Sequence, residues 1–258
     1  MFDVHYHLVF GVDDGPKCIE DSLALIEASI DEGVTHIVAT PHANHKYSFE
    51  PEINRARLET IRERVDGRIT LGLGCDFHMS FDNIQCLHQH ASRYTVNGKR
   101  YLLVEFADFI LPRESSNSLF KIRAAGVIPV LTHPERNPML MSEPQRVREW
   151  VETGCLVQIT AASLCGDFGS KSQSMATELL RKNLVHVVAS DAHSVKWRAP
   201  SMRRAYDVLI KEFGKETADR LCVENPRAIF FGERLPPQPE LVASYNGKRS
   251  FLGRFLGK

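Results

Sequence analysis

The residues best suited to chemistry recur in small groups along the chain: His5-Tyr6-His7, then Gly11-Val12-Asp13-Asp14-Gly15, Thr40-Pro41-His42, Gly74-Cys75-Asp76, Val104-Glu105, Thr132-His133-Pro134-Glu135-Arg136 and Ser190-Asp191-Ala192-His193. Imidazoles and carboxylates together are the donors that hold divalent transition metals, and with Cys75 the only cysteine beside them the set does not suit a soft, thiolate-held structural site. On an extended chain, residues two apart face the same side, so His5 and His7 can grip one ion. Any one of these residues has an ordinary explanation, since a lone loop histidine is usually solvated and an Asp after a strand is often a helix cap. Their common placement does not, because each group follows or ends a short apolar run. Charged groups clustered beside a buried barrel mouth are costly without a compensating ion.

The runs are Phe2–His7, His36–Thr40, Ile69–Cys75, Tyr101–Phe106, Ile128–Thr132, Leu156–Ile159 and Val185–Ser190. Each is rich in Val, Ile or Leu and short enough for a strand buried on both faces. Between them helical spacing predicts Ile19–Glu32, Glu52–Arg64, Ser118–Ala125, Glu143–Thr153 and Ser174–Lys182. Gly33, Gly126 and Gly154 follow three of these stretches, where a positive φ is often needed. The alternation reads as a parallel α/β protein, and Met79–Gly98 as an irregular excursion. A closed barrel is expected over an open sheet, because only closure brings six reactive strand ends to one face. The expectation is a single-domain, distorted (β/α)7 barrel over residues 1–240, followed by a basic tail over 241–258.

Composition removes several function classes. The 258 residues carry 32 Lys+Arg against 32 Asp+Glu, so no overall basic field drives nucleic-acid binding. No apolar run spans a bilayer, and MFDVHYHLVF lacks the basic start of a signal peptide. Six cysteines without a CxxC pair point to reduced thiols and a cytoplasmic location. A cysteine-based tyrosine phosphatase needs an Arg six residues after its nucleophile. Here those positions hold Ala24, Phe81, Ser92, Ala161, Lys171 and Ala228, which excludes that mechanism. In the tail, Lys248, Arg249, Arg254 and Lys258 accompany Phe251, Leu252, Phe255 and Leu256. This is weak material for membrane-surface or partner docking, and a frayed terminus is the simpler reading.

MFDVHYHLVFGVDDGP, IVATPH, YLLVEF, VLTHPER and VVASDAH resemble the ordered motifs of PHP-domain phosphoesterases. Within these, Asp14 and Glu105, where many relatives have histidine, resemble the manganese-dependent protein-tyrosine phosphatases of bacterial capsule and exopolysaccharide loci. The likeness covers residues 1–232. It implies three divalent ions, with Mn expected and Fe or Zn as alternatives. One would be held by His5, His7, Asp76 and Asp191, a second by Asp76, Glu105 and His133, and a third by Asp14, His42 and His193. The family usually has Glu where this chain has Asp76, which leaves open whether the bridge is direct, water-mediated or made with a shifted backbone. Asp13 could replace Asp14, but the motif register favours Asp14.

Four ligand carboxylates against three divalent ions leave two surplus positive charges, or one beside a hydroxide, which suits a phosphate dianion. Arg136 is a candidate for a bidentate phosphate clamp, and Arg198 resembles an arginine of the family's last motif. Glu135 or His45 could supply a proton to the leaving group. The implied substrate is a tyrosine-phosphorylated protein, an autophosphorylating kinase controlling polysaccharide export. The alternatives are a histidinol-phosphatase-like small-molecule phosphoesterase, a metal-dependent nuclease, or a non-catalytic metal-binding regulator of a kinase.

Overall fold

The computed structural model describes residues 1–80, 83–85, 87, 90–109 and 111–243. Its strands are β1 (Phe2–Tyr6), β2 (His36–Ala39), β3 (His42–Ala43), β4 (Thr70–Leu73), β5 (Asp76–His78), β6 (Tyr101–Glu105), β7 (Ile128–Thr132), β8 (Leu156–Thr160) and β9 (Val187–Ala189). Every ladder between them is parallel, in the orders β1-β2-β4 and β3-β5-β6-β7-β8-β9. The two ladders are one wall with a crease. β2 and β3 are halves of one run interrupted at Thr40–Pro41, where proline has no N–H to give, and β4 and β5 are interrupted at Gly74–Cys75. Bonds from Gly74 N to Ala39 O (2.8 Å) and from Asp76 N to Pro41 O (3.1 Å) carry the pairing across the crease.

The seven runs therefore form seven staves, and the wall closes. Asp191 N donates to His5 O at 2.9 Å and His7 N to Ala192 O at 3.0 Å, joining β1 to the residues just past β9. Two cores follow from the closure. Val4, Val38, Leu103, Val130, Val187 and Ala189 meet with Ile229 and Phe230 in one cluster that fills the lumen. Their strand neighbours, among them Tyr6, Ile37, Leu102, Leu131, Val157 and Val188, belong to the larger cluster under the helices. Strands buried on both faces read as continuous apolar runs, which is why alternation was absent from the sequence.

The helices are α1 (Ile19–Asp31), α2 (Pro51–Val65), α3 (Ser115–Ala124), α4 (Pro138–Ser142), α5 (Pro144–Glu152), α6 (Ala161–Cys165), α7 (Gly169–Arg181), α8 (Met202–Phe213), α9 (Lys215–Asp219) and α10 (Asn225–Phe231). Gly33, Gly126 and Gly154 have φ of 82°, 84° and 91°, the left-handed conformation expected of them. The short α6 and the last three helices escape a periodicity reading; α10 is instead buried at the floor of the lumen. Beyond it the chain runs back along the barrel without regular structure. Asn183 Nδ2 donates to Glu240 O at 2.7 Å and Arg148 Nη2 to Val242 O at 2.5 Å, so the chain is tied to the body as far as Val242. The rest of the basic tail, residues 244–258, lies outside the described residues. None of the described helices is long and apolar enough to cross a membrane.

Candidate metal centre

The two histidines of β1 reach the centre because the strand is irregular. Val4 faces the lumen, yet Tyr6, two residues on, packs outward, its hydroxyl donating to Leu25 O at 3.1 Å. The register slips between Asp3 and Tyr6, as a bulge requires. A bulge frees backbone amides, and side chains meet them. Thr40 Oγ1 accepts from Tyr6 N at 2.9 Å, while Asp3 Oδ1 accepts from Ser190 N at 3.0 Å and more loosely from His5 N at 3.5 Å. Burial pushes the Asp3 carboxyl up to about 7, against the lowering effect of these bonds.

Three of the five imidazoles are turned by a partner on Nδ1. His5 Nδ1 lies 2.9 Å from Gln158 Oε1, His7 Nδ1 2.7 Å from Asp13 Oδ2, and His193 Nδ1 2.9 Å from Asp191 O. In all three this leaves Nε2 for an ion. Asp13 also accepts from Gly15 N at 2.9 Å and so folds the loop that follows β1. A Cβ on Gly15 would sit 2.7 Å from His7 O, so only glycine lets that loop lie so close. Asp14 turns the other way, with Oδ1 3.3 Å from His193 Nε2 and 3.5 Å from His42 Nε2. His133 and Asp191 adopt φ of 35° and 54°, a left-handed backbone rare outside glycine. Strain of this kind persists only where the surroundings enforce it.

All nine residues expected as ligands fall into four overlapping groups whose donor atoms lie within 4.8 Å of one another: His7, Asp14, His42 and His193; His5, His7 and Asp76; His5, His133 and Asp191; and His42, Asp76 and Glu105. The membership differs from the sequence-based grouping in three places. His7 joins Asp14, His42 and His193 as well as His5 and Asp76. His42 joins Asp76 and Glu105 as well as Asp14, and His133 joins His5 and Asp191. Asp76, although a methylene shorter than glutamate, sits between two groups, with Oδ2 3.7 Å from His5 Nε2 and 3.0 Å from His42 Nδ1.

The donor set fits divalent ions on two grounds. His5 Nε2, His7 Nε2, His42 Nδ1, Asp14 Oδ1 and both Asp76 oxygens are buried and without a hydrogen-bond partner, a costly state for any polar atom. Their nitrogen–oxygen separations are mostly too long for hydrogen bonds: 3.5 Å for His5 Nε2 to Asp191 Oδ1, 3.4 Å for His7 Nε2 to Asp191 Oδ1 and 3.6 Å for His133 Nε2 to Glu105 Oε1. Two ligands each about 2.1 Å from a shared ion stand roughly 3.0–3.4 Å apart.

Ionisation is correspondingly polarised. Burial alone would lower His5, but Asp191 and Asp76 outweigh it and hold the imidazole up at about 9. His42 is likewise held at about 10, where the adjacent Asp76 carboxylate overcomes burial. Burial and the nearby Asp76 charge push Glu105 up to about 8. His193 goes the other way, to about 4, through burial and the adjacent His7.

Both candidate arginines enter the centre. Arg136 Nη1 donates to Asp191 Oδ2 at 2.5 Å, and Arg198 Nη2 donates to the same oxygen. Arg198 Nη1 is also 3.3 Å from His193 Nε2. The two guanidinium carbons lie 4.4 and 5.9 Å from the ring centroid of Phe168, in the loop between α6 and α7. The suggested proton donors are placed differently. Glu135 is fully buried and its Oε1 accepts from Thr160 N at 2.9 Å, so it braces the end of β8 and does not meet a substrate. His45 is exposed on the loop after β3. Sequence reasoning missed Gln158, Asp3, Thr40 and Phe168. Gln158 had a signal, a lone amide inside the apolar run LVQIT, and Phe168 had none.

Comparison with known proteins agrees with this geometry. A family model described as capsular polysaccharide synthesis, CpsB/CapC, matches residues 1–231. The tyrosine-protein phosphatase CpsB of Streptococcus pneumoniae is 36% identical over 242 residues, covering 90% of this chain and 99% of the relative. The tyrosine-protein phosphatase YwqE of Bacillus subtilis is 34% identical over 246 residues, covering 93% and 96%. A solved structure from work on YwqE of B. subtilis and CpsB of S. pneumoniae, described as unique metal-dependent tyrosine phosphatases, superposes with a TM-score of 0.87 at 33% identity, covering 95% of this chain and all of that one. On the extent of the family match and these identities, the chain belongs to the CpsB/CapC family of capsular polysaccharide synthesis proteins.

Proposed function

We propose that this protein is a metal-dependent protein-tyrosine phosphatase that hydrolyses phosphotyrosine on a bacterial tyrosine autokinase governing capsule or exopolysaccharide synthesis. The observation that carries the reading is the convergence of nine imidazole and carboxylate side chains, many with buried unpartnered donor atoms, in four overlapping groups at one end of the barrel. Three divalent ions, manganese in the first instance with iron or zinc as alternatives, are the proposed complement. His5, His7, Asp76 and Asp191 would hold one, Asp76, Glu105 and His133 another, and Asp14, His42 and His193 the third, with His42 and His133 near enough to other groups to exchange places. When bound, the ions supply Lewis acidity and a water acidified for attack at neutral pH.

The chain's own residues do the rest. Gln158, Asp13 and the Asp191 carbonyl hold three imidazoles with Nε2 inward. Arg136 and Arg198 flank the same carboxylate and are the proposed phosphate clamps, offering planar donor pairs that match two phosphoryl oxygens. Phe168 lies beside both guanidinium groups and limits where they can swing. A phenolate leaves more readily than an alkoxide, which reduces the demand for a general acid and fits a site where Glu135 is turned away. The family match and the named relatives support capsule synthesis as the setting, and five described cysteines, all free, support a reducing cytoplasm.

Two experiments test this reading. Removal of metal by chelation should abolish turnover of a phosphotyrosyl peptide and re-addition of manganese should restore it; undiminished turnover after verified metal loss refutes it. His7→Ala should lower kcat at least about a hundredfold, as removal of one ligand to a catalytic ion does.

A further inference from the structure

We propose that the cavity beside His193 receives the aryl ring of the phosphorylated tyrosine, with Trp197 as its platform and specificity residue; the proposal rests on the phosphotyrosine reading above. The cavity measures about 290 Å³, near the lower end of the range for small-ligand pockets, and its walls include Asp14 and His193. Those two residues also belong to one of the candidate ligand groups, so the cavity opens directly from the centre. Pro16, Lys17, Asp21, Lys196 and Trp197 are among the other residues of its walls.

Trp197 is 63% exposed, and its ring centroid lies 5.7 Å from that of His193. The chain contains two tryptophans; the other, Trp150, is 2% exposed against Phe106 and bonded through Nε1 to Ser116 Oγ at 2.9 Å. An indole left in water beside a reactive centre is surface that an incoming aromatic ring can cover. Its placement is set by the centre itself. Ser194 N donates to Arg198 O and Arg198 N to Ser194 O, both at 3.2 Å, closing a tight turn with Trp197 on it. One end of that turn is His193 and the other is Arg198, whose guanidinium reaches Asp191. A phosphoryl group clasped by Arg198 would therefore have the Trp197 indole, carried on the same turn, in the wall of the adjoining cavity. A phosphoserine side chain has nothing to lay on it. Lys17 and Lys196 are exposed at the rim, where Asp21 also lines the cavity and Lys17 Nζ donates to Asp13 O at 2.9 Å.

The test combines kinetics with binding. In metal-loaded protein, Trp197→Ala should raise KM for a phosphotyrosyl peptide roughly tenfold. The inhibition constant of inorganic phosphate, which has no ring, should be unchanged, and Trp197→Phe should recover most of the loss. A phosphonomethyl-phenylalanine peptide should quench or shift the fluorescence of the exposed tryptophan in the wild-type protein, whereas inorganic phosphate should not. Equal shifts in peptide KM and phosphate inhibition, or no change in KM with no fluorescence response, overturn the ring site while leaving the phosphatase intact. A fluorescence response without turnover sinks the phosphatase reading and leaves the aryl site standing.

Discussion

Among single residues, those that aim the histidines matter as much as the histidines. Asp13 was a rival to Asp14 in the sequence; in the structure it is spent on His7 Nδ1 and on the Gly15 amide. Asp13→Asn is expected to weaken metal binding about ten- to a hundredfold without unfolding the protein, the usual effect of losing a partner behind a ligand. Metal titration with a thermal melt beside it would check both halves of that statement. Proton balance supplies a second prediction. His5 and His42 hold protons up to about 9 and about 10, through Asp191 and Asp76 in the first case and Asp76 in the second, each overcoming burial. An ion can take these nitrogens only by displacing the protons, so metal affinity should rise as pH rises from about 6 toward 9. Calorimetry in buffers of different ionisation enthalpy should register proton release at pH 7; binding with no proton release, and no change of affinity with pH, would contradict the assignment of these two residues.

At the scale of elements, the bulge in β1 is the decisive feature. Strict alternation would send one of Val4, His5 and Tyr6 to the wrong side, and the register slip lets Val4 fill the lumen while His5 and His7 still face the candidate metal centre. Thr40 stabilises the slip by accepting the Tyr6 amide at 2.9 Å with a fully buried hydroxyl. Thr40→Val keeps the shape and removes the acceptor, leaving a buried N–H alone, so it should cost about 1–3 kcal/mol in denaturant unfolding. Gly15→Ala places a methyl against the His7 carbonyl, and the loop between β1 and α1 must move. Its stability should fall by roughly 1–3 kcal/mol, with a larger proportional fall in bound metal, because Asp13 and Asp14 ride on that loop.

The whole molecule depends on closing β1 against the end of β9, and on what lies beneath the closure. His186, just before β9, is buried, accepts from Val157 N at 3.2 Å and offers its carbonyl to Asn225 Nδ2 at 2.8 Å, linking the barrel to the helix that plugs it. Burial, helped by the Arg220 charge, lowers this imidazole to about 4. An unfolded histidine titrates near 6.5, so between about 6.5 and 4 the unfolded chain binds the extra proton. Stability must then fall as pH drops through that window, by about 2–4 kcal/mol, and flatten with respect to this residue below it. His186→Asn keeps an acceptor and removes the titration; guanidinium unfolding from pH 7 to 4.5 should show a shallower decline for the variant.

The strands, the glycines that end helices and the residues at the strand ends were legible because each is local. Seven Val/Ile/Leu runs, Gly33, Gly126 and Gly154, and the order from His5 to His193 follow from what each short stretch can do sterically and chemically. The missing arginine six residues after every cysteine likewise needs only counting. Tertiary structure decided which atoms meet. Closure places Asp191 against His5, His7, Arg136 and Arg198 at once, brings Gln158 behind His5, and leaves Trp197 beside His193. Periodicity reports only the face on which a residue lies. Partnerships between residues more than a hundred positions apart, such as His5 with Gln158, depend on the register, bulge and packing that close the barrel.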